Sequence, residues 1–261
     1  MGGDALTAIG RAALYGLLAG PAAAQVTPEA VLARMYPAFH PKAECRTVEA
    51  TDMRQTYCMG IDRSDRGVVE AITRLNVLAT GKAIDKDSGT ASGGHVTPGL
   101  VGAFVVEERG NGFQVLAAEA RIVAGANGLP PTDWTFVQVG PAGYWGWLNS
   151  QGDCHQGYCS SQSMLLAPYG KGIRNLTGFV QSADNTGACG DKRCEARATS
   201  LDSTLAFDTQ AASGPVYPLR VTVSGTANGR RVPAKPWVLP FDVKTWRYLP
   251  PKGWPLKDAE F

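Results

Sequence analysis

The chain has 261 residues, of which 44% are hydrophobic and 18% are charged, and its formal net charge is +2. This length supports one large domain or two small ones, and the apolar fraction is too high for a disordered chain. The near balance of 25 basic and 23 acidic residues gives no strong field for a polyanion, which argues against nucleic-acid binding. Two short basic clusters are interpreted as solvated surface, namely Lys192 with Arg193 and Arg197, and Arg230 with Arg231.

Residues 1–24 are predicted to be a secretory signal peptide. Arg11 precedes an apolar stretch over 12–20, and the alanine run that follows resembles a cleavage site. The stretch is too short to span a bilayer, which needs about 20 residues. An amphipathic N-terminal helix is the alternative, because Asp4 is unusual in a signal sequence. Cleavage places the mature chain in the periplasm or outside the cell, with no transmembrane segment.

The mature chain, 25–261, is predicted to be a single β-rich domain with an N-terminal helical extension over 25–65. Within that extension, Thr27 is a suitable helix N-cap and Pro28 suits the first helical position. Pro37 is expected to end the helix, because the residue before a proline avoids the α region. No composition break or flexible linker divides the chain after this extension.

The remainder of the chain is expected to be mostly β structure. Residues 66–80 fit both a helical and a strand period, and 81–98 are predicted to be a polar, glycine-rich loop. From about residue 100 onward, short apolar runs alternate with turn residues, and several of them show the inside–outside alternation of antiparallel strands.

Two Asn-Gly steps, at Asn111-Gly112 and Asn228-Gly229, predict tight hairpins because both turn residues accept positive φ. About ten strands joined by short turns are expected in total. This pattern predicts a mainly β fold: an antiparallel sandwich, barrel or meander with one or two N-terminal helices, braced by disulfides.

Six cysteines form three sequence-close pairs, and an even count in an exported chain predicts disulfides. Pairing of sequence neighbours gives Cys45–Cys58, Cys154–Cys159 and Cys189–Cys194. Cross-pairing between the last two pairs stays open, because sequence alone does not fix the connectivity. Zinc ligation by these thiolates with His155 is a further alternative, although structural zinc sites more often use tighter spacing. The prediction is disulfides, with no metal and no cofactor.

The segment 143–161 combines aromatic rings, amides, an acid and a histidine around one pair of cysteines. Aromatic rings beside amides and an acid can bind a sugar or a peptide. The predicted binding residues are Tyr144, Trp145, Trp147, Asn149, Asp153, His155 and Tyr158. The alternative is that the tryptophans pack in the core and the remaining residues form a braced turn.

No motif in the sequence specifies a reaction. The chain lacks G-x-S-x-G, H-E-x-x-H and the phosphate-binding glycine loops. A hydrolase would need one of the three histidines as its base, and the candidates are His155 and His95, with Asp153 as the nearby acid. Sequence proximity does not establish that these side chains converge in space.

A glycine-rich stretch offers oxygen ligands for calcium at Asp184, Asn185 and Asp191. It lacks the alternating acids and the closing glutamate of an EF-hand loop. Asparagine and aspartate beside glycine also suit an ordinary turn, so a disulfide-pinned turn is the alternative.

The leading functional prediction is an exported, non-enzymatic binding protein of the cell envelope or extracellular space. Its expected partner is an envelope or extracellular protein, for example a toxin to be neutralised, or a glycan. The motivating observations are the signal peptide, the cysteine pairs, the aromatic segment and the lack of catalytic motifs. A secreted hydrolase using His155 or His95 is the alternative, and a calcium-dependent adhesive domain is a third hypothesis.

Overall fold

The computed structural model describes residues 25–50, 53–70, 72–211 and 214–257. The predicted signal peptide, residues 1–24, lies outside these ranges. Within them the protein is mainly β, with two antiparallel sheets, a few short helices and three disulfides, which confirms the predicted fold class. No helix in the described ranges is long and apolar enough to cross a membrane.

The first helix, α1 (Pro28–Met35), begins where the sequence predicts. The hydroxyl oxygen of Thr27 accepts a hydrogen bond from the N–H of Ala30, which satisfies one of the free donors of the first turn. Tyr36 follows the helix and is almost fully buried, and its hydroxyl donates to the carbonyl of Ala120 over 2.8 Å. This hydrogen bond joins the end of α1 to the first sheet.

The first sheet is a six-stranded antiparallel meander in which each strand pairs with the next along the chain. Its strands are β1 (Ala38–His40), β2 (Cys45–Ala50), β3 (Gln55–Val69), β4 (Ile72–Ile84), β5 (Gly99–Arg109) and β6 (Gly112–Ala124). Only the first part of the predicted helical extension is therefore helical. Its described residues from 38 onward belong to the meander.

The ambiguous stretch 66–80 forms the end of β3 and most of β4, so its strand interpretation is the correct one. The ambiguity has a physical cause. Residues 75–79 are all buried, because β4 is covered on both faces, and a strand of this kind loses the period-two signal. The predicted loop over 81–98 begins after Ile84.

The second sheet has eight strands, and its order is β14-β13-β12-β11-β9-β8-β7, with β10 paired to β9. Its strands are β7 (Thr135–Gly140), β8 (Tyr144–His155), β9 (Tyr158–Tyr169), β10 (Gly172–Asn175), β11 (Val180–Asp184), β12 (Ser200–Phe207), β13 (Leu219–Ala227) and β14 (Arg230–Leu239). A 3-10 turn (Thr186–Ala188) and the short helix α2 (Lys192–Glu195) connect β11 to β12. The two-residue strands β15 (Phe241–Asp242) and β16 (Arg247–Tyr248) pair with each other.

Both predicted hairpins are present, although one turn lies a residue earlier than predicted. Asn228 and Gly229 join β13 to β14 with φ values of 51° and 73°. Between β5 and β6 the turn residues are Gly110 and Asn111, and Gly112 already pairs with Arg109. Gly110 takes the positive φ of 53°, so the glycine before the asparagine fills that position.

Three hydrophobic cores lie in layers across the two sheets. One lies between α1 and the meander and includes Tyr57 and Phe104. A second lies between the meander and the second sheet and includes Val105 and Trp147. The third is formed by residues of the second sheet and by the segment after β16, which contributes Trp254. The meander and the second sheet therefore pack face to face through the middle core.

The three disulfides join sequence neighbours, as the simplest pairing predicts. Cys45–Cys58 links β2 to β3, Cys154–Cys159 links β8 to β9 beside their turn, and Cys189–Cys194 braces the connection that contains α2. No free cysteine remains in the described residues. The thiolates are therefore not available for zinc.

Candidate functional site

Strand β8 carries six of the seven predicted binding residues but spreads them along its whole length. A strand of 12 residues is about 40 Å long at about 3.3 Å per residue, so these side chains do not form one surface. They fall into three groups, namely Tyr144 with Trp145 at one end, Trp147 with Asn149 in the middle, and Asp153, His155 and Tyr158 at the hairpin tip.

The middle group belongs to the core, which corrects its assignment to a binding surface. Trp147 is 0% exposed and packs between the two sheets against Phe136. Asn149 is 6% exposed, and its amide nitrogen donates to the carbonyl of Thr132. Neither side chain is accessible to a partner while the sheets stay packed.

The hairpin tip brings together the three catalytic candidates. His95 Nε2 lies 3.6 Å from Asp153 Oδ2, and the rings of His95 and His155 have centroids 5.9 Å apart. His95 Nδ1 forms a 3.2 Å hydrogen bond with Asn127 Oδ1, which orients the ring. Both members of the His95–Asp153 contact are about half exposed, and their separation is longer than a hydrogen bond.

A shallow depression of about 310 Å³ lies on this tip. Asp153, His155, Tyr158 and Ser160 line it, because the register places Asp153 opposite Ser160 and His155 opposite Tyr158. An acid, an imidazole and a hydroxyl thus share one face of the hairpin. In the described part of the chain, no three His, Cys, Asp or Glu side chains are grouped so as to hold a metal ion.

The calcium candidates use their oxygens within the protein. Hydrogen bonds from the Ser200 hydroxyl and from Thr186 lower the pKa of Asp184. The side-chain oxygen of Asn185 accepts a backbone N–H, and Asp191 caps α2. This arrangement is a turn that satisfies its own polar groups.

A second, larger depression lies elsewhere, where the β3–β4 hairpin faces the β7–β8 hairpin. Its volume is about 560 Å³, which lies in the range of ligand-binding clefts. We call it the inter-sheet cleft. Its apolar wall includes Val69, Leu116, Phe136 and Trp145, and its polar wall includes Asp65, Arg66, Arg74 and Asn76.

The aromatic wall of the inter-sheet cleft is a stacked pair. Trp145 is 36% exposed and stacks on Phe136 with ring centroids 5.1 Å apart and an interplanar angle of 10°. Beside it, the hydroxyl of Tyr144 donates to the carbonyl of Pro168 over 2.6 Å, and burial raises the pKa of Tyr144. Two of the predicted binding residues therefore lie on this cleft.

The charged groups of the cleft are paired, except for one. Both carboxylate oxygens of Asp65 accept from Arg63, at 2.7 and 2.6 Å, and Arg66 forms an ion pair with Glu108. Arg74 forms no ion pair with any described carboxylate, and its Nε is buried without a hydrogen-bond partner there. Arg74 is thus the guanidinium of the cleft lining for which the described residues supply no acceptor.

Glu107, the carboxylate opposite Arg74, forms its ion pair with a different arginine. Arg74 pairs in register with Glu107 on β5, which is almost fully buried. The Glu107 carboxylate forms its ion pair with Arg109 on the same strand. No hydrogen bond or ion pair joins Glu107 to Arg74 among the described residues, although the register places both side chains on one face of the meander.

Strand β7, which contributes Phe136 to the cleft, lies at one edge of the second sheet. Its sequence TFVQVG has no charge and no proline. At its far end the carbonyl of Val139 accepts from the N–H of Tyr217 over 2.8 Å, and no other described strand pairs with that edge. An uncharged edge strand is open to pairing with another chain.

The opposite edge of the same sheet is protected. Strand β14 has the sequence RRVPAKPWVL, with two prolines and three basic residues. Proline removes a backbone donor, and basic side chains disfavour the approach of another strand. The two edges of one sheet thus differ in the features that prevent edge-to-edge pairing.

Sequence reasoning missed most of the cleft. Phe136 lies in a predicted strand, and Arg74 and Val69 lie in the stretch whose type was ambiguous. The run over 135–140 is uncharged and proline-free, but 164–167 is as well, so this feature of the sequence does not single out the edge strand. No protein-family model, no curated protein and no solved structure matches this chain.

Proposed function

We propose that the protein is an exported, non-enzymatic binding protein that captures an extended segment of a partner protein at the inter-sheet cleft. The observation that carries this proposal is the part of the β7 edge before Val139, which no described strand covers, beside the stacked pair of Phe136 and Trp145. Three disulfides, with no free cysteine in the described residues, support an oxidising compartment such as the periplasm or the extracellular space.

The mode of binding follows from strand geometry. An extended segment that adds to β7 gains main-chain hydrogen bonds along the free edge. Its alternate side chains point toward the cleft, where Phe136, Trp145 and Val69 offer apolar contact. A protein partner fits this arrangement better than a glycan, because a sugar has no backbone to pair with a strand edge.

The test uses the disulfide-bonded protein and a synthetic pool of N-acetylated hexapeptides, randomised over Val, Leu, Phe, Thr and Tyr. Half of the pool carries a free C-terminal carboxylate and half a carboxamide. We expect wild type to enrich a subset of peptides, and Trp145→Ala to bind that subset at least about tenfold more weakly, because a buried aromatic contact is lost. Enrichment is read by mass spectrometry and affinity by calorimetry.

The control variant is Phe39→Ala, since Phe39 is 56% exposed on β1 at the outer edge of the meander. It should bind the enriched peptides as wild type does. If neither half of the pool binds wild type, the proposal is wrong. If Tyr158→Ala weakens binding as much as Trp145→Ala, the ligand contacts the hairpin tip and the cleft assignment fails.

A secreted hydrolase remains the second candidate, because His95, His155 and Asp153 converge on one face with Ser160. This candidate predicts hydrolysis of a simple ester such as p-nitrophenyl acetate that is lost in His95→Asn or His155→Asn. His40→Asn is the matched control, since its ring is held elsewhere by the carbonyl of Lys86. Equal rates in all three variants and wild type would exclude the imidazoles as catalytic bases.

A further inference from the structure

We infer that the segment bound at the inter-sheet cleft ends there, with its C-terminal carboxylate held by Arg74. This inference rests on the proposed function and adds the chemical class of the ligand. It starts from the one guanidinium in the cleft that has no acceptor among the described residues. An arginine beside apolar walls matches a carboxylate, which it holds through two parallel hydrogen bonds.

The charges of the cleft favour an anion. Of the charged side chains in the lining, Asp65 is neutralised by Arg63, and Arg66 is neutralised by Glu108. Arg74 has no ion pair among the described residues, because Glu107, the carboxylate opposite it in register, is paired with Arg109. The buried Nε is out of reach of a ligand, but the two terminal nitrogens are not among the buried atoms and have no acceptor among the described residues, so a ligand carboxylate can accept hydrogen bonds from them.

The backbone beside Arg74 leaves room for a ligand carboxylate. Gly67 lies directly opposite Arg74 in the pairing of β3 with β4, so a side chain there would share the face of Arg74. A Cβ placed on Gly67 meets no atom within 4 Å. The space beside the guanidinium is therefore open because this position carries no side chain.

The shape of the cleft favours a chain end over an internal segment. At one end, Arg63 donates to the carbonyl of Trp134 over 2.5 Å and bridges β3 to the start of β7. At the other end, Val69 packs against Gly143, where a Cβ would lie 2.8 Å from a Val69 methyl. An internal segment would have to leave across one of these bridges, whereas a terminus only has to enter.

The test compares the two halves of the hexapeptide pool on the native protein. We expect peptides with a free carboxylate to bind about 10- to 100-fold more tightly than the same sequences as carboxamides, the range of a charge-assisted hydrogen-bonded pair. Arg74→Gln should remove this preference. Arg230→Gln, the same charge change on the far edge strand β14, should keep it.

A second variant keeps the inference testable if Arg74→Gln fails to fold. Gly67→Leu fills the space beside Arg74 without changing a charge, and should also remove the preference for the free carboxylate. Equal binding of acid and amide by wild type would overturn the inference and leave the proposed function standing. Amidated peptides with one internal Asp that bind as tightly as free acids would overturn the C-terminal assignment. Binding by neither half would overturn the proposed function itself.

Discussion

Replacing Trp147 by alanine is expected to lower the free energy of unfolding by about 3–5 kcal/mol, as removal of a large core side chain does. Trp147 is 0% exposed and lies between the two sheets, where it contacts Phe136. Its indole nitrogen has no hydrogen-bond partner among the described residues. Truncation to alanine therefore breaks no side-chain hydrogen bond, and the loss of stability comes from packing. Urea unfolding followed by circular dichroism measures the loss.

Trp145→Ala is the matched control for that experiment, because the same side chain is removed two residues away on the same strand. Trp145 is 36% exposed, so a clearly smaller loss of unfolding free energy is expected. The pair of variants separates the core residue from the cleft residue. Similar losses for both, or none for Trp147→Ala, would contradict the packing of the middle core.

Removing the Cys45–Cys58 disulfide with the double substitution Cys45→Ala and Cys58→Ala is expected to destabilise the protein by about 3 kcal/mol. The bond closes a loop with a sequence separation of 13 residues, and its loss increases the conformational entropy of the unfolded chain. Thermal and urea unfolding of the oxidised proteins measure the difference. The same double variant should also lose part of the sensitivity of wild type to reductant.

The comparison variant removes Cys154 and Cys159, which are only 5 residues apart. The shorter loop predicts a smaller loss, of about 2 kcal/mol. The loop lengths therefore predict a larger loss of stability for the Cys45–Cys58 variant than for the Cys154–Cys159 variant. A larger effect from the shorter loop would show that the hairpin tip depends on its disulfide for native structure, not only for a reduced unfolded-state entropy.

Features determined by neighbouring residues were predictable from the sequence. Thr27 caps α1 within its own first turn, Asn228 and Gly229 form a turn between adjacent strands, and the cysteine pairs close short loops. In each case the partners are close along the chain, so local conformational preference decides the structure. The β5–β6 turn differed by one residue, because two glycines flank its asparagine and either can take positive φ.

The candidate site was less predictable, because its parts come from distant strands. Arg74 comes from β4, Phe136 from β7 and Trp145 from β8, and only the packing of the two sheets brings them together. The sequence predicted one binding segment over 143–161. It is a long hairpin, in which Trp145 and Trp147 share one face of β8. Position along the strand leaves Trp145 at the cleft and Trp147 in the core, and the length of the strand separates its two ends.

His95 joins the hairpin tip from a loop that precedes β5, more than fifty residues before His155 in the chain. The sequence named both histidines, but as separate candidates with their own neighbours. Their proximity depends on how the loop after β4 lies beside the β8–β9 hairpin. A contact between residues this far apart in the chain leaves no local sequence pattern from which it could be predicted.

Strand β5 is buried along nine consecutive residues, from Gly99 to Glu107. Successive side chains point to opposite faces, so Phe104 enters the core beneath α1 while Val105 enters the core between the sheets. These two cores therefore share one strand, so unfolding of β5 would disrupt both of them. We therefore expect a cavity made beside Phe104 to weaken the packing around Val105 as well, because one strand carries both side chains.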